Sequence, residues 1–347
     1  MDKIINKQHP LYKEDINNII NMRGFDSLQD KSFLISGATG LLGMFLIDAL
    51  MEANSKGANI TVYAIGRSKE KAQERLGEYY TDEHFCFIEQ DVRLPLPKNI
   101  NVDYIIPLAS NTHPLAYSQY PIETIEINVK GAEYALQKAI ECNATVLYPS
   151  TVEVYGNARG EDVFTEDYTG QLNLSTARAC YTESKRVSEA LCQSYIVEKG
   201  AKVKIVRLSR IFGPTMLMSD TKASSQFIIK ALNGEDIVLK SEGKQYFSYT
   251  YVADAISAIL YVLLHGENGV AYNISNESCN VRLKDFAQMC AEYNVKNVVF
   301  DLPTETERKG FSIAMKAILD NSKLRSIGFE PKYSLRDAVR RTIEILK

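Results

Sequence analysis

The chain has 347 residues, which at roughly 150 residues per domain suggests about two domains, or one large domain with an appendage. Apolar residues make up 45% and charged residues 24%, with 19 Gly and 10 Pro, so disordered, collagenous and low-complexity classes are excluded. The 40 Lys plus Arg stand against 43 Asp plus Glu, a net charge of −3. That balance offers no basic field to a phosphate backbone, and nucleic acid is not an expected partner.

Six cysteines (Cys86, Cys142, Cys180, Cys192, Cys279 and Cys290) lack CxxC spacing, and four histidines are equally dispersed. Neither a disulfide framework nor a metal site is expected, and a reducing compartment is. Residues Met1 to Asn21 show no signal-peptide pattern, and apolar runs such as Ile256 to Leu264 fall well short of the ~18 residues of a membrane span. The sequence therefore predicts a soluble cytoplasmic protein with no membrane partner.

In chain order, Phe33–Ser36, Ile60–Ile65, Phe85–Glu89, Tyr104–Leu108, Thr145–Tyr148 and Val203–Leu208 read as strands, short apolar runs of the kind buried on both faces. Helical periodicity fills the intervals at Leu41–Ala53, Lys69–Leu76, Ile122–Glu141 and Thr182–Glu198. This alternation predicts an α/β fold, a doubly wound parallel sheet that binds ligands beyond the carboxyl ends of its strands. The expected division is an N-terminal extension over 1–30, a dinucleotide-binding domain over 31–213 and a smaller mixed α/β substrate lobe over 214–347. Within the lobe, Tyr272–Ile274 and Val298–Phe300 read as strands and Leu283–Tyr293 and Leu335–Ile345 as helices. The segment 252–275, with its apolar run Val252–Leu264, is expected to return to the main sheet.

Directly after the first strand stands Gly37-Ala38-Thr39-Gly40-Leu41-Leu42-Gly43, followed by an apolar helix. Glycines allow a tight turn and a close approach of backbone to a pyrophosphate, and the helix N-terminus faces the anion with unpaired N–H groups. Asp91 and Val92, after the third strand, fall at the adenine rim. The second strand ends in Ala64-Ile65-Gly66-Arg67-Ser68, without the carboxylate that commonly holds the ribose of NAD. Arg67 suits a 2′-phosphate or an adenine face, which leaves NAD and NADP both open.

The pattern YxxxK occurs three times, at Tyr134/Lys138, Tyr181/Lys185 and Tyr195/Lys199. On a helix this spacing puts an ammonium beside a phenol, where it lowers the phenol pKa. Only Tyr181/Lys185 opens its helix after a loop and so reaches the ligand edge of the sheet. The fifth strand ends in Pro149-Ser150-Thr151-Val152-Glu153-Val154-Tyr155-Gly156, placing a hydroxyl and a carboxylate at that same edge.

Taken together, GATGLLG, PSTVEVYG, YTESK, the run from Arg207 to Pro214 and the run from Asp320 to Pro331 resemble the extended short-chain dehydrogenase/reductase family. The branch is that of the nucleotide-sugar epimerases, dehydratases and decarboxylases, and the likeness spans about Ser32 to Lys347. It implies a Rossmann-type domain, a nicotinamide cofactor, a nucleotide-diphosphate sugar in the C-terminal lobe, and a homodimer formed through the helices after the fourth and fifth strands. It further implies that Thr151 hydrogen-bonds the reacting oxygen, that Tyr181 is the base, and that Lys185 binds the ribose and tunes the tyrosine. Leu108, Ala109 and Ser110 match the family's cofactor loop, and Asn128 matches its cofactor-supporting Asn.

Glu153 bears on the reaction type. A 4-keto sugar acidifies its C5 hydrogen, so a carboxylate there suits 4,6-dehydration, and Thr-x-Glu also resembles the nucleotide-sugar decarboxylases. A 4-epimerase and an NADPH-dependent keto-sugar reductase remain alternatives. Val152 stands where dTDP-glucose dehydratases carry an Asp acid. Phe247 stands where the family has a phosphate-binding Arg, and Arg210 where it has Asn. The expectation is that Arg210 restores the missing positive charge from across the pocket.

Overall fold

The computed structural model describes residues 5–112, 114–158, 163–301 and 315–347. A helix, α1 (Pro10–Ile20), precedes the first strand. Then follow β1 (Ser32–Ser36), α2 (Leu41–Ser55), β2 (Thr61–Gly66), α3 (Lys69–Leu76), β3 (Phe85–Glu89), β4 (Tyr104–Pro107), a short α4 (Pro114–Gln119), α5 (Pro121–Cys142), β5 (Thr145–Thr151), α6 (Ala179–Lys199) and β6 (Lys202–Leu208). The lobe adds β7 (Arg210–Phe212), α7 (Ala223–Leu232), β8 (Ile237–Leu239), β9 (Tyr246–Tyr251), α8 (Val252–His265), β10 (Ala271–Ile274), β11 (Asn280–Arg282), α9 (Leu283–Glu292), β12 (Val298–Phe300), β13 (Lys316–Ala317), α10 (Ser322–Ser326) and α11 (Leu335–Leu346).

The main sheet has seven strands in the order β10-β6-β5-β4-β1-β2-β3, and every pairing in it is parallel. Order reverses between β1 and β4, and at such a reversal the connections leave in opposite directions and open a crevice at the strands' carboxyl ends. The lobe is organised on β9, which pairs with β11, β13 and β7.

The apolar run 252–264 is a helix, α8, and not a strand; at 14 residues it is too long for a typical strand. What joins the main sheet is β10, parallel to β6. Helix α2 is buried almost all round, from Gly43 to Met51, because α1 covers its outward side, with Tyr12 edge-on to Phe45 at 5.2 Å. Each large apolar side chain so enclosed contributes ~1.5–3 kcal/mol.

Candidate active site

The glycine turn lies at the reversal point. Gly37 has φ +67°, and a Cβ there would lie 2.8 Å from the Ala109 backbone nitrogen. A Cβ at Gly43 would lie 2.3 Å from the Gly37 carbonyl oxygen, so helix and strand meet only through glycine. Gly40 caps α2 with its N–H donated to the Gly37 carbonyl at 2.9 Å. The first-turn amides of Leu41, Leu42 and Gly43 belong to the set that no helix pairs internally. With Thr39 half-buried beside them, they fit a pyrophosphate at a helix N-terminus.

Around this turn, Ser36 Oγ accepts from the Ala109 amide at 3.3 Å. Ser110 Oγ donates to Asn128 Oδ1 at 2.7 Å, Asn128 Nδ2 to Ser184 Oγ at 2.8 Å, and Ser184 Oγ to the Tyr181 carbonyl at 2.9 Å. Asn128 is thus a connector from the loop after β4, which also carries half-buried Leu108, to the start of α6. A small cavity lined by Ser36, Val92, Ala109, Asn128, Tyr148 and Lys185 lies beneath. Asp91 is gripped at both oxygens by Arg93, at 3.0 and 2.7 Å, which holds its carboxyl below the usual range. Arg67 is exposed and paired with Glu123, in the first turn of α5, at 3.0 Å.

At the end of β5, Thr151 accepts the Glu153 amide at 3.3 Å, and its hydroxyl acts on the Tyr181 phenol in the sense that favours the phenolate. The Lys185 ammonium donates to the Pro149 carbonyl at 2.8 Å and lies 5.0 Å from the centre of the Tyr148 ring. Here the sequence expectation fails in one respect: the ammonium does not lower the phenol pKa in this state. Burial, first, and Glu153 raise Tyr181 well above its ordinary value. Burial lowers Lys185 to about 8. Both groups are pushed toward neutrality because desolvation penalises whichever form is charged.

The structure also brings in two residues that sequence reasoning missed. Tyr117, on α4, stacks on Tyr181 with ring centres 4.8 Å apart. Arg178 lies 3.7 Å from Glu153 and 5.7 Å from the centre of the Tyr117 ring. The only sequence signal was their place in the segments that follow β4 and β5. Of the two departures in the lobe, Arg210 lies flat on Phe247, its Cζ 3.5 Å from the ring centre. The Phe247 side chain is buried and serves as the floor for the arginine.

A phosphate-sized glycine cradle at the reversal point of a parallel sheet, opening beside a Thr, Tyr and Lys at the end of β5, defines a Rossmann-fold dinucleotide enzyme. The profile of the NAD dependent epimerase/dehydratase family matches residues 33–275, and the chain belongs to that family. Its relatives include UDP-glucuronic acid decarboxylase 1 of Xenopus tropicalis, 31% identical over 320 residues, 91% of this chain and 72% of that protein. UDP-glucuronic acid decarboxylase 3 of Arabidopsis thaliana is 32% identical over 310 residues, 88% of this chain and 86% of that protein.

Among solved structures, a dTDP-glucose 4,6-dehydratase from Streptomyces venezuelae shares the fold with a TM-score of 0.77 at 22% identity, covering 90% of this chain and 96% of that one. A UDP-glucuronic acid 4-epimerase from Bacillus cereus does so with a TM-score of 0.75 at 20% identity, covering 91% and 98%. The family is NAD dependent. Among the described residues no helix is long and apolar enough to cross a membrane.

Proposed function

We propose that the protein is a nucleotide-sugar decarboxylase, acting on a nucleotide-diphosphate hexuronic acid by transient oxidation at C4. The observation that carries this reading is the convergence of Thr151, Glu153 and Tyr181 at the carboxyl end of β5, and relatives that are UDP-glucuronic acid decarboxylases support it.

Gly37, Thr39, Gly40, Leu41, Leu42 and Gly43 hold the pyrophosphate of NAD. Val92, Leu108, Ala109, Ser110 and Asn128 would line its course, Arg67 and Asp91 would serve its adenine end, and Lys185 would bind the ribose. When bound, NAD would supply the hydride acceptor for the oxidation at C4. Tyr181 Oη takes the proton of the C4 hydroxyl as the C4 hydride leaves, and the Thr151 hydroxyl steadies the oxygen that becomes a carbonyl. That carbonyl is β to the C6 carboxylate, so the C5–C6 bond breaks with its electron pair drawn into an enolate, and CO₂ departs. Glu153, on the same edge, handles the proton at C5. Tyr181 would then return its proton to the C4 oxygen as the carbonyl is reduced back to the alcohol.

The test is incubation with UDP-glucuronic acid and NAD followed by mass spectrometry. A product lighter by 44 mass units is expected; a loss of 18 would mean dehydration and no change epimerisation. Tyr181→Phe is expected to reduce turnover by about 10²–10⁴-fold.

The proposal includes a homodimer through α5 and α6, supported by the exposed apolar side chains Ile122, Ile125 and Val187 on those helices. Light scattering at twice the chain mass is the expected result. A cytoplasmic setting fits the six free thiols.

A further inference from the structure

Arg210 is a largely enclosed cation that forms no ion pair among the described residues. It opens β7 opposite Tyr249 of β9, lies on Phe247, and its buried Nη1 has no hydrogen-bond partner. Arg207 and Arg341, also largely enclosed, are built differently. Arg207 holds Glu189 at 2.7 Å, and Arg341 holds Asp15 and Asp337 at 2.8 Å. An unpaired buried charge is among the costliest features a protein can carry, so one that persists on a rigid aromatic floor is prepared for a partner that arrives from outside.

The neighbours of Arg210 indicate where that partner sits and what charge it bears. Arg210 is within electrostatic reach of Glu153, Arg178, Tyr117 and Tyr249. Glu153 in turn acts on Tyr181 and pairs with Arg178 at 3.7 Å. Among the described residues two guanidiniums here face one carboxylate, a surplus of one positive charge that one monoanion matches. Leu208 stands in register with Thr151, so Arg210, two residues further on, emerges at the Thr151–Glu153 edge, the reacting end of the sugar. A sugar carries an anion at that end when it is a uronic acid.

We infer that Arg210 is the specificity-determining residue of this enzyme, pairing through its free Nη1 with the C6 carboxylate of a nucleotide-linked hexuronic acid. The inference rests on the decarboxylation reading and adds to it the group that selects the acid over the neutral hexose. Phe247 keeps the guanidinium flat and shields one face from water. Arg178 offsets Glu153, which would otherwise repel the incoming carboxylate.

The test is calorimetric titration of the full-length NAD-loaded enzyme and its Arg210→Gln variant with UDP-glucuronic acid, UDP-glucose and UDP. The wild type is expected to prefer UDP-glucuronic acid. In the variant, affinity for the acid should fall on the order of 100-fold, the scale of losing one partner of a buried ion pair. UDP-glucose and UDP should change by less than about threefold. Unchanged UDP affinity also certifies that the pocket is folded. Equal losses for all three ligands would mean that Arg210 serves the diphosphate, and a variant that still prefers the acid would remove Arg210 from its recognition. Both results overturn the inference and leave decarboxylation standing. A wild type indifferent to the carboxylate, by contrast, overturns the decarboxylation reading and the inference with it. If Arg210→Gln does not fold, Arg210→Lys carries the same comparison, with a loss of about tenfold for a point charge in place of a planar fork.

Discussion

Tyr181 and Lys185 stand one helical turn apart on α6, and burial drives both toward their neutral forms. The lysine, lowered to about 8, carries its proton below that pH and sheds it above. A neutral Lys185 loses the charge that strengthens its hydrogen bonds to the ribose proposed above, so turnover is expected to fall as pH rises through about 8. In Lys185→Met that alkaline limb should disappear from the pH profile of kcat, with kcat itself lower by about 10²–10⁴-fold. A limb that persists in the variant would assign it to another group. The sequence allowed Thr151, Glu153, Tyr181 and Lys185 to be read because strand and helix ends fix where such residues emerge. It could not show the direction of the pKa shifts, which depends on burial, nor that Tyr117 from the short α4 and Arg178 from the turn before α6 return to Tyr181 and Glu153.

Among the elements, β1 to β6 follow from short apolar runs set between longer helical ones, whereas β7, β11 and β13, of three, three and two residues, give no period to count. Helix α1 has a reason visible only in three dimensions. Helix α2 carries Asp48, 3% exposed, on its outward side, and that carboxylate takes its partners largely from the N-terminal extension. Lys7 Nζ lies 2.7 Å away and Tyr79 Oη donates at 2.8 Å, while Tyr12 Oη donates to the other oxygen. Residues before β1 therefore complete the α2 side of the fold. Lys7→Met leaves Asp48 buried without its cation and should destabilise by about 3 kcal/mol, read from the urea midpoint. Adding Asp48→Leu should recover most of that loss, because an apolar pair of similar volume costs little where a broken ion pair costs much.

Across the whole molecule, the dinucleotide-binding sheet and the β9-centred lobe are held together by carboxylates at their junction. Asp15 of α1 accepts from Tyr251 Oη at 2.6 Å, at the end of β9, and from Arg341 Nη1 at 2.8 Å, on α11. Asp254, in the first turn of α8, accepts the amides of Lys332 and Tyr333 at 2.8 and 3.1 Å and so pins the segment leading into α11. Asp254 has no cation partner among its hydrogen bonds, and burial, only partly offset by those two amides and Asn276, raises it from 3.8 to about 6. A raised carboxyl means that the folded state binds a proton more readily than the unfolded chain. Stability should accordingly increase as pH falls from 7 through 6, with the gain complete near the unfolded value of about 4. The full gap is worth about 3 kcal/mol. Asp91 and Asp337 work in the opposite sense, since both are held below their ordinary value and lose their contribution only at lower pH. Thermal unfolding should therefore move to higher temperature between pH 7.5 and pH 5.5 in the wild type and move less in Asp254→Asn. An equal rise in both proteins would place the proton elsewhere, with Asp15, raised by burial in the same direction, as the next group to replace.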